Sequence, residues 1–312
     1  MFKTVDLFCG CGGLSLGFQK AGFQVVCAFD NWDKAVNIYN ANFDDHKAEL
    51  KDVYELTPDY LASFRPDVII GGPPCQDYSS AGQQDETKGR ANLTIRYAEL
   101  VCAVKTNWFV MENVDRISKS ETLPKALALF KEAGYGLTQV VLDASKCGVP
   151  QKRKRFFLIG ELGGNDNFLT KRLVKDQNDE SMTIRDYLGN EFGTEYYYRH
   201  PRSYARRGIF SIDESSPTVR GVNRPIPSTY KTHPGDATAD LNKVRVLTTM
   251  ERARIQTFPK SFVLEGNKTD LEQIIGNAVP VELAAYVGRH LLDYIMNPTK
   301  IENISDGYVQ IT

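Results

Sequence analysis

The sequence predicts an α/β protein, a doubly wound sheet joined to a second, smaller and irregular domain. Three observations carry this. Short β-branched and aromatic runs alternate with stretches of helical spacing through the first half. A glycine-rich turn follows the first such run. From about 165 to 245 the character changes to Asn, Asp, Arg, Tyr, Ser and Pro with no strong helical period. Alternating strand and helix signals are the signature of parallel strands covered by helices on both faces.

The predicted strands cover 4–8, 24–29, 66–71, 107–111, 137–142 and 155–160, separated by amphipathic spacings such as Leu14-Gly17-Phe18-Ala21 and Leu123-Leu127-Phe130. The tail returns to helix in Met250–Thr257 and Pro280–Met296, where Leu283, Val287, Leu291 and Leu292 repeat every three to four residues. The chain therefore reads as a discontinuous first domain, 1–175 plus 276–312, with 176–275 inserted as the second domain and hinge. The last helix is expected to pack back onto the first domain.

Composition sets bounds. With 312 residues, 42% hydrophobic and 25% charged, the chain has enough apolar material for a real core, which excludes disorder as the default. The six cysteines, at 9, 11, 27, 75, 102 and 147, show neither Cys-x-x-Cys nor paired Cys/His spacing, so no zinc site or disulfide framework is suggested. A reduced, cytoplasmic protein is expected, with no signal peptide and no membrane span. The formal net charge of −1 hides a local basic segment: between Tyr196 and Lys231 stand Arg199, Arg202, Arg206, Arg207, Arg220, Arg224 and Lys231 against Asp213 and Glu214, with tyrosines interleaved. Such a segment suits phosphates and base edges.

Several stretches carry chemistry. In "DLFCGCGGLSLGF", 6–18, Gly10, Gly12 and Gly13 let backbone N–H groups approach a ligand at a helix N-terminus. Ser15 stands where the dinucleotide fingerprint asks for a third glycine. Asp30, twenty residues past Gly10, is placed for ribose hydroxyls, Trp32 for stacking on adenine, and Asp52 for an adenine amino group, although each carboxylate also suits a cap or a turn. Cys75, behind Gly71-Gly72-Pro73-Pro74 at a strand end, is an exposed nucleophile rather than a packing cysteine. The stretch 76–93 reads as a closing loop. "FVMENV", 109–114, ends a strand with Glu112, whose burial raises its pKa and makes it a proton donor near neutrality. "QKRKRFFLIG", 151–160, sets Arg153 and Arg155 on one face by period two, facing a carbonyl oxygen or phosphate.

The ordered set Asp-Leu-Phe-x-Gly-x-Gly-Gly, Gly-Gly-Pro-Pro-Cys-Gln, Glu-Asn-Val, Gln-x-Arg-x-Arg, "ERARIQTFP" (251–259) and "IGNAVP" (275–280) resembles the DNA (cytosine-5) methyltransferases. The resemblance covers nearly the whole chain outside 165–245, where that family carries its target-recognition region. It implies a Rossmann-like fold that uses S-adenosyl-L-methionine, held by Phe8, Gly10, Gly12, Gly13, Asp30, Trp32, Asp52, Pro73 and Asn277. The family sets an acid directly before the stacking residue, whereas here Asn31 separates Asp30 from Trp32, so either 31 or 32 meets adenine.

By the same resemblance Cys75 adds to C6 of a cytosine flipped from double-stranded DNA, Glu112 holds N3, Arg155 grips O2, and Arg153 supports the loop. Ser79, Arg90, Arg220 and Arg224 are the expected DNA contacts; guanine edges and phosphates suit Arg220 and Arg224 equally. No metal is required. A bacterial or phage modification enzyme, monomeric on DNA, either with a separate cognate restriction endonuclease or as an orphan, is the expected setting. Two alternatives compete. An RNA cytosine-5 methyltransferase would carry the Cys-Phe-Thr signature, absent here, and a non-catalytic DNA-binding relative would have lost Cys75 or Glu112.

Overall fold

The computed structural model describes residues 1–74, 92–203 and 205–297. The main sheet contains β1 (Lys3–Leu7), β2 (Gln24–Asp30), β3 (Ala48–Leu50), β4 (Val68–Gly71), β5 (Trp108–Val114), β6 (Tyr135–Asp143) and, after the two-residue β7 (Gln151–Lys152), β8 (Lys154–Leu162). Its order is β3-β2-β1-β4-β5-β8-β6. All six expected strands are present, and the short β3 is added at one edge. Pairing is parallel from β3 to β5, whereas β8 runs antiparallel to both β5 and β6.

Helices cover both faces: α1 (Gly13–Ala21), α2 (Asp33–Asn42), α3 (Pro58–Ser63), α4 (Asn92–Val104) and α5 (Thr122–Glu132) in the first half, and α10 (Val281–Met296) at the end. Successive strand residues point to opposite faces, and the two cores follow that alternation. Ile69, Phe109, Met111 and Leu158 pack with Leu100, Val101, Leu123 and Phe130 of α4 and α5. Val68, Ile70, Val110, Phe157 and Ile159 pack with Leu14 and Phe18 of α1 and with Leu283, Val287 and Leu291 of α10. Each such fully buried side chain contributes roughly 2 kcal/mol. α1 and α10 approach to backbone contact, because a Cβ on Gly17 would stand 2.3 Å from Ala284 Cβ and one on Gly288 2.8 Å from Ala21 Cβ. The last helix thus packs back onto the first half, as expected.

Between these halves lie α6 (Thr170–Lys175), α7 (Ile184–Leu188), β9 (Tyr196–Tyr198), β10 (Ile209–Ser211), β11 (Ser216–Pro217), β12 (Val244–Val246), α8 (Thr249–Ile255) and α9 (Lys268–Asn277). A three-stranded sheet, β10-β9-β12, organises the irregular stretch, and β11 pairs with β7 of the first half. Both α7 and α8 start with capping boxes, Thr183 with Asp186 and Thr248 with Glu251. Tyr197 and Tyr198 are core side chains at 1% exposure, not stacking surfaces, so the tyrosine interleaving noted in the sequence is partly a packing feature. No helix among the described residues is long and apolar enough to cross a membrane.

Candidate functional site

The crevice lies beyond the carboxyl ends of the parallel strands. β1 ends at Leu7, and the next residues turn sharply: Phe8, Gly10 and Gly12 have φ of 63°, 55° and 93°. A left-handed phenylalanine is uncommon and costs roughly 1–2 kcal/mol, strain of the kind that collects at ligand sites. A Cβ on Gly10 would meet nothing within 4 Å, leaving its backbone open to a ligand. Gly12 and Gly13 have another cause. Their Cβ atoms would stand 2.4 Å from the Phe43 ring and 2.3 Å from the Val279 carbonyl oxygen, so close packing excludes a side chain there. On the Cβ side, space is open at Gly10 and filled at Gly12 and Gly13.

Phe8, Asp30, Asn31, Asp52, Val53 and Leu93 are among the crevice walls. Asp30 lines the crevice with both carboxylate oxygens engaged by the backbone: its Oδ2 accepts from Gly10 N at 2.8 Å and its Oδ1 from Trp32 N at 2.9 Å. The carboxylate braces the glycine turn, and burial raises its pKa above the usual aspartate range despite both donors. Asn31 Nδ2 donates to Asp52 Oδ2 at 3.1 Å, while Asp52 Oδ1 also caps the following turn by accepting from Tyr54 N at 3.0 Å. Asp52 is therefore the turn residue that its sequence position suggested, and it also lines the crevice. Trp32 is half-buried and packs against the cluster containing Cys11, Ala35 and Phe258, so Asn31 rather than Trp32 faces the walls. Asn277, at the end of α9, is exposed and accepts from Gln273 Nε2 at 3.3 Å. It is not among these walls.

At the end of β5, Glu112 is 8% exposed and pairs with Arg155, Nε to Oε1 at 2.8 Å. The antiparallel register explains the meeting, since Val114 stands opposite Arg155. Burial raises the Glu112 carboxyl above the usual glutamate range, against the pull of Arg155 and then Arg153. The chain leading to Cys75 runs beside this pair: a Cβ on Gly72 would lie 3.3 Å from Glu112 Oε2, and Pro73 O accepts from Asn113 Nδ2 at 2.9 Å. Cys75, Ser79 and Arg90, with most of the stretch 76–93, lie outside the described residues.

Arg153 departs from the expectation of a side chain facing the crevice beside Arg155. It falls between β7 and β8, is 2% exposed, and donates to Val219 O at 2.9 Å, Gly276 O at 3.0 Å and Ala278 O at 3.2 Å. Its guanidinium pins the segment after β11 to the end of α9. Sequence reading missed the groups that share this task. Gln151 Oε1 accepts from Val219 N at 2.8 Å, Gln151 Nε2 donates to Gln256 at 2.6 Å, and the buried Arg252 pairs with Glu272 while donating to Arg220 O. Their one sequence signal was membership of quoted motifs, and Glu272 had none.

The basic segment divides by commitment. Arg220 donates to His200 O, Arg199 to Thr218 O at 2.9 Å, and Arg207 pairs with Glu214 while lying 4.3 Å over the Phe210 ring. Arg202, Arg206, Arg224 and Lys231 are exposed. Arg220 and Arg224, read together from the sequence, are thus unlike: one is bound into the fold and one faces solvent.

Comparison with known proteins agrees with this geometry. The profile of the C-5 cytosine-specific DNA methylases matches residues 2–293. The chain is 54% identical to the type II methyltransferase M.HindV of Haemophilus influenzae over 96% of this chain and 99% of that one. It is 51% identical to M.HgiDI of Herpetosiphon aurantiacus over 95% and 96%. Among solved structures, the Entamoeba histolytica methyltransferase EhMeth superposes with a TM-score of 0.74 at 18% identity, covering 95% of this chain and 99% of that one, a likeness of fold. The chain therefore belongs to the C-5 cytosine-specific DNA methylases, as a DNA (cytosine-5) methyltransferase of the type II modification class.

Proposed function

We infer that the chain methylates C5 of a cytosine flipped out of a specific double-stranded DNA sequence, through a transient bond between Cys75 and C6. The observation that carries this is the Glu112–Arg155 pair, buried at the end of β5 against the Gly72-Pro73 run that leads to Cys75. Cytosine C5 is a poor nucleophile until C6 is attacked. The Cys75 thiolate adds at C6, Glu112 in its protonated form donates to N3, and Arg155 presents guanidinium N–H groups to O2. Once C5 has gained the methyl group, loss of the C5 proton and expulsion of the thiolate restore the ring as 5-methylcytosine. Flipping the base costs a few kcal/mol, offset by contacts from the second domain.

The crevice residues fit S-adenosyl-L-methionine: an open backbone at Gly10, an apolar wall of Phe8, Val53 and Leu93, and the Asn31 and Asp52 side chains as polar partners. Bound there, the group supplies an electrophilic methyl. Asp30 holds the turn that receives it.

The division into 1–175 plus 276–312 and 176–275 is supported by the separate β10-β9-β12 sheet. In this reading the inserted part recognises DNA, with Arg224 as a base or phosphate contact and Arg220 holding the segment's shape. In this reading the enzyme acts as a monomer on DNA in the bacterial cytoplasm. Bisulfite sequencing of DNA from a methylation-free host expressing the chain tests the reading. Protected cytosines in one recurring sequence are expected. Uniform conversion in a host that contains the folded protein would refute it.

A further inference from the structure

A single file of side chains runs from the core beneath the glycine turn to the surface. The Asp6 carboxyl, in β1, is fully buried; its Oδ2 lies 2.6 Å from Ser15 Oγ, and its Oδ1 meets no partner. Ser15 Oγ, buried in α1, is 2.9 Å from the Tyr39 hydroxyl of α2. That hydroxyl is 2.7 Å from His46 Nε2, and His46 Nδ1 is 2.8 Å from Asp45 Oδ1. Asp45 is 62% exposed. The file is walled by apolar groups: Tyr39 stacks on Phe43 at 4.1 Å, and Cys9, Ala28 and Val36 complete the sheath.

Each interior hydroxyl donates once and accepts from its neighbour, so the directions of the bonds are coupled along the file. While Asp6 is protonated, an O–H on Oδ1 would have nothing to bond, so the proton sits on Oδ2 and donates to Ser15. Ser15 then donates to Tyr39, Tyr39 to His46 Nε2, and His46 carries its own proton on Nδ1, toward Asp45. Once Asp6 is ionised every bond reverses, and His46 must carry its proton on Nε2.

The geometry points to a proton relay in which Asp6 gains and loses its proton through Ser15, Tyr39 and His46, so that the charge beneath the glycine turn is set from the surface while the core stays closed. In the outward direction the proton on Asp6 Oδ2 passes to Ser15 Oγ, that of Ser15 to Tyr39, and that of Tyr39 to His46 Nε2. His46 Nδ1 releases one to Asp45 or water. One proton leaves, and no electrons move.

The other titratable groups facing the file are Asp30, Cys9 and Tyr97 around Asp6, Cys9 and Cys27 around Tyr39, and Lys47 beside His46. None of them lies in it. Burial raises Asp6 to about 8 and lowers His46, which leaves the acid protonated and the imidazole neutral near pH 7. After burial, the charge of Asp30, the carboxylate that braces Gly10, adds to the rise at Asp6.

The relay is tested on the full chain alone, so the outcome is independent of the proposed methyl donor. Nitrogen-15 NMR of the imidazoles is followed between about pH 6 and pH 9.5, with the His46 signals identified by their loss in His46→Asn. The expected result is an exchange of protonated-type and bare-type nitrogen shifts between Nδ1 and Nε2 near pH 8, lost in Asp6→Asn and in Tyr39→Phe. Should Asp6→Asn not fold, Tyr39→Phe decides, because it removes one hydroxyl and keeps the ring that stacks on Phe43. One unchanging His46 tautomer in the unmodified chain, or a switch that survives in Tyr39→Phe, overturns the relay.

Discussion

Replacing Arg153 by methionine separates a positioning role from a substrate contact. The guanidinium donates to three backbone carbonyls, at Val219, Gly276 and Ala278, and all three lose a charged donor. Hydrogen bonds to charged groups contribute roughly 1.5–3 kcal/mol each, so the gross loss is on the order of 5 kcal/mol. Relief from burying the charge offsets part of it, leaving about 3 kcal/mol. With an unfolding entropy of roughly 2 cal/mol/K per residue, a chain of this length falls in Tm by about 4–5 °C. Arg153 also lowers the Glu112 pKa, so its removal raises that carboxyl further. If protonated Glu112 is the active form, the alkaline limb of the pH–rate profile moves to higher pH. Thermal denaturation and the pH dependence of methyl transfer measure the two effects. An unchanged Tm together with abolished turnover would show that Arg153 touches the substrate, and the reasoning would be wrong.

Four further outcomes are expected. Cys75→Ser retains donor and duplex binding in equilibrium assays while losing turnover; methylation persisting in that variant would remove the covalent step. Asp6 is raised from 3.8 to about 8, so between those values the native chain holds a proton that the unfolded chain has released, and stability falls as pH rises through that window by up to about 1.4 kcal/mol per pH unit. Asp6→Asn flattens that slope in urea midpoints taken between about pH 5 and pH 8, and an identical slope in both proteins would contradict the burial argument. Gly276→Ala drives a Cβ to 2.2 Å from Gly221 N and 2.4 Å from Arg220 C, so a loss of roughly 2 kcal/mol or more is expected in chemical denaturation, and wild-type stability would show that the contact relaxes freely. Arg224→Ala weakens DNA binding by about 1–3 kcal/mol in titrations with no change in Tm, whereas Arg220→Ala lowers both; equal Tm losses would erase the distinction between them.

Much of the scaffold was legible because it is local. Strand runs such as Val68-Ile69-Ile70 and Phe109-Val110-Met111 alternate between two cores, and a buried strand must be apolar on both faces. The direction of β8 was not legible, because nothing in "RFFLIG" records which neighbour it pairs with. Glu112 could be read for its raised pKa, since burial at a strand end is a local inference. Its pairing with Arg155 was not read, and period two alone put Arg153 and Arg155 on one face: a break in the strand at 153 sends the two side chains to different partners. Gly12 and Gly13 look like ligand glycines in the motif, yet Phe43 and Val279, remote in sequence, require them. Arg252 and Glu272 stand twenty positions apart, and two surface-type residues at that spacing carry no sign that they will be buried together.

The reversed strand has a mechanical consequence. A parallel neighbour begins at the edge of the sheet opposite the crevice, but β8 begins at the crevice itself, which is how Arg155 enters it beside the last residues of β5. Because side chains alternate along β8, adding or deleting one residue between Asp143 and Lys154 without a compensating bulge would turn Lys154 inward and Arg155 outward along the whole strand. The loop joining β6 to β8 therefore acts as a ruler, and its length is as much a part of the chemistry as the arginine it delivers.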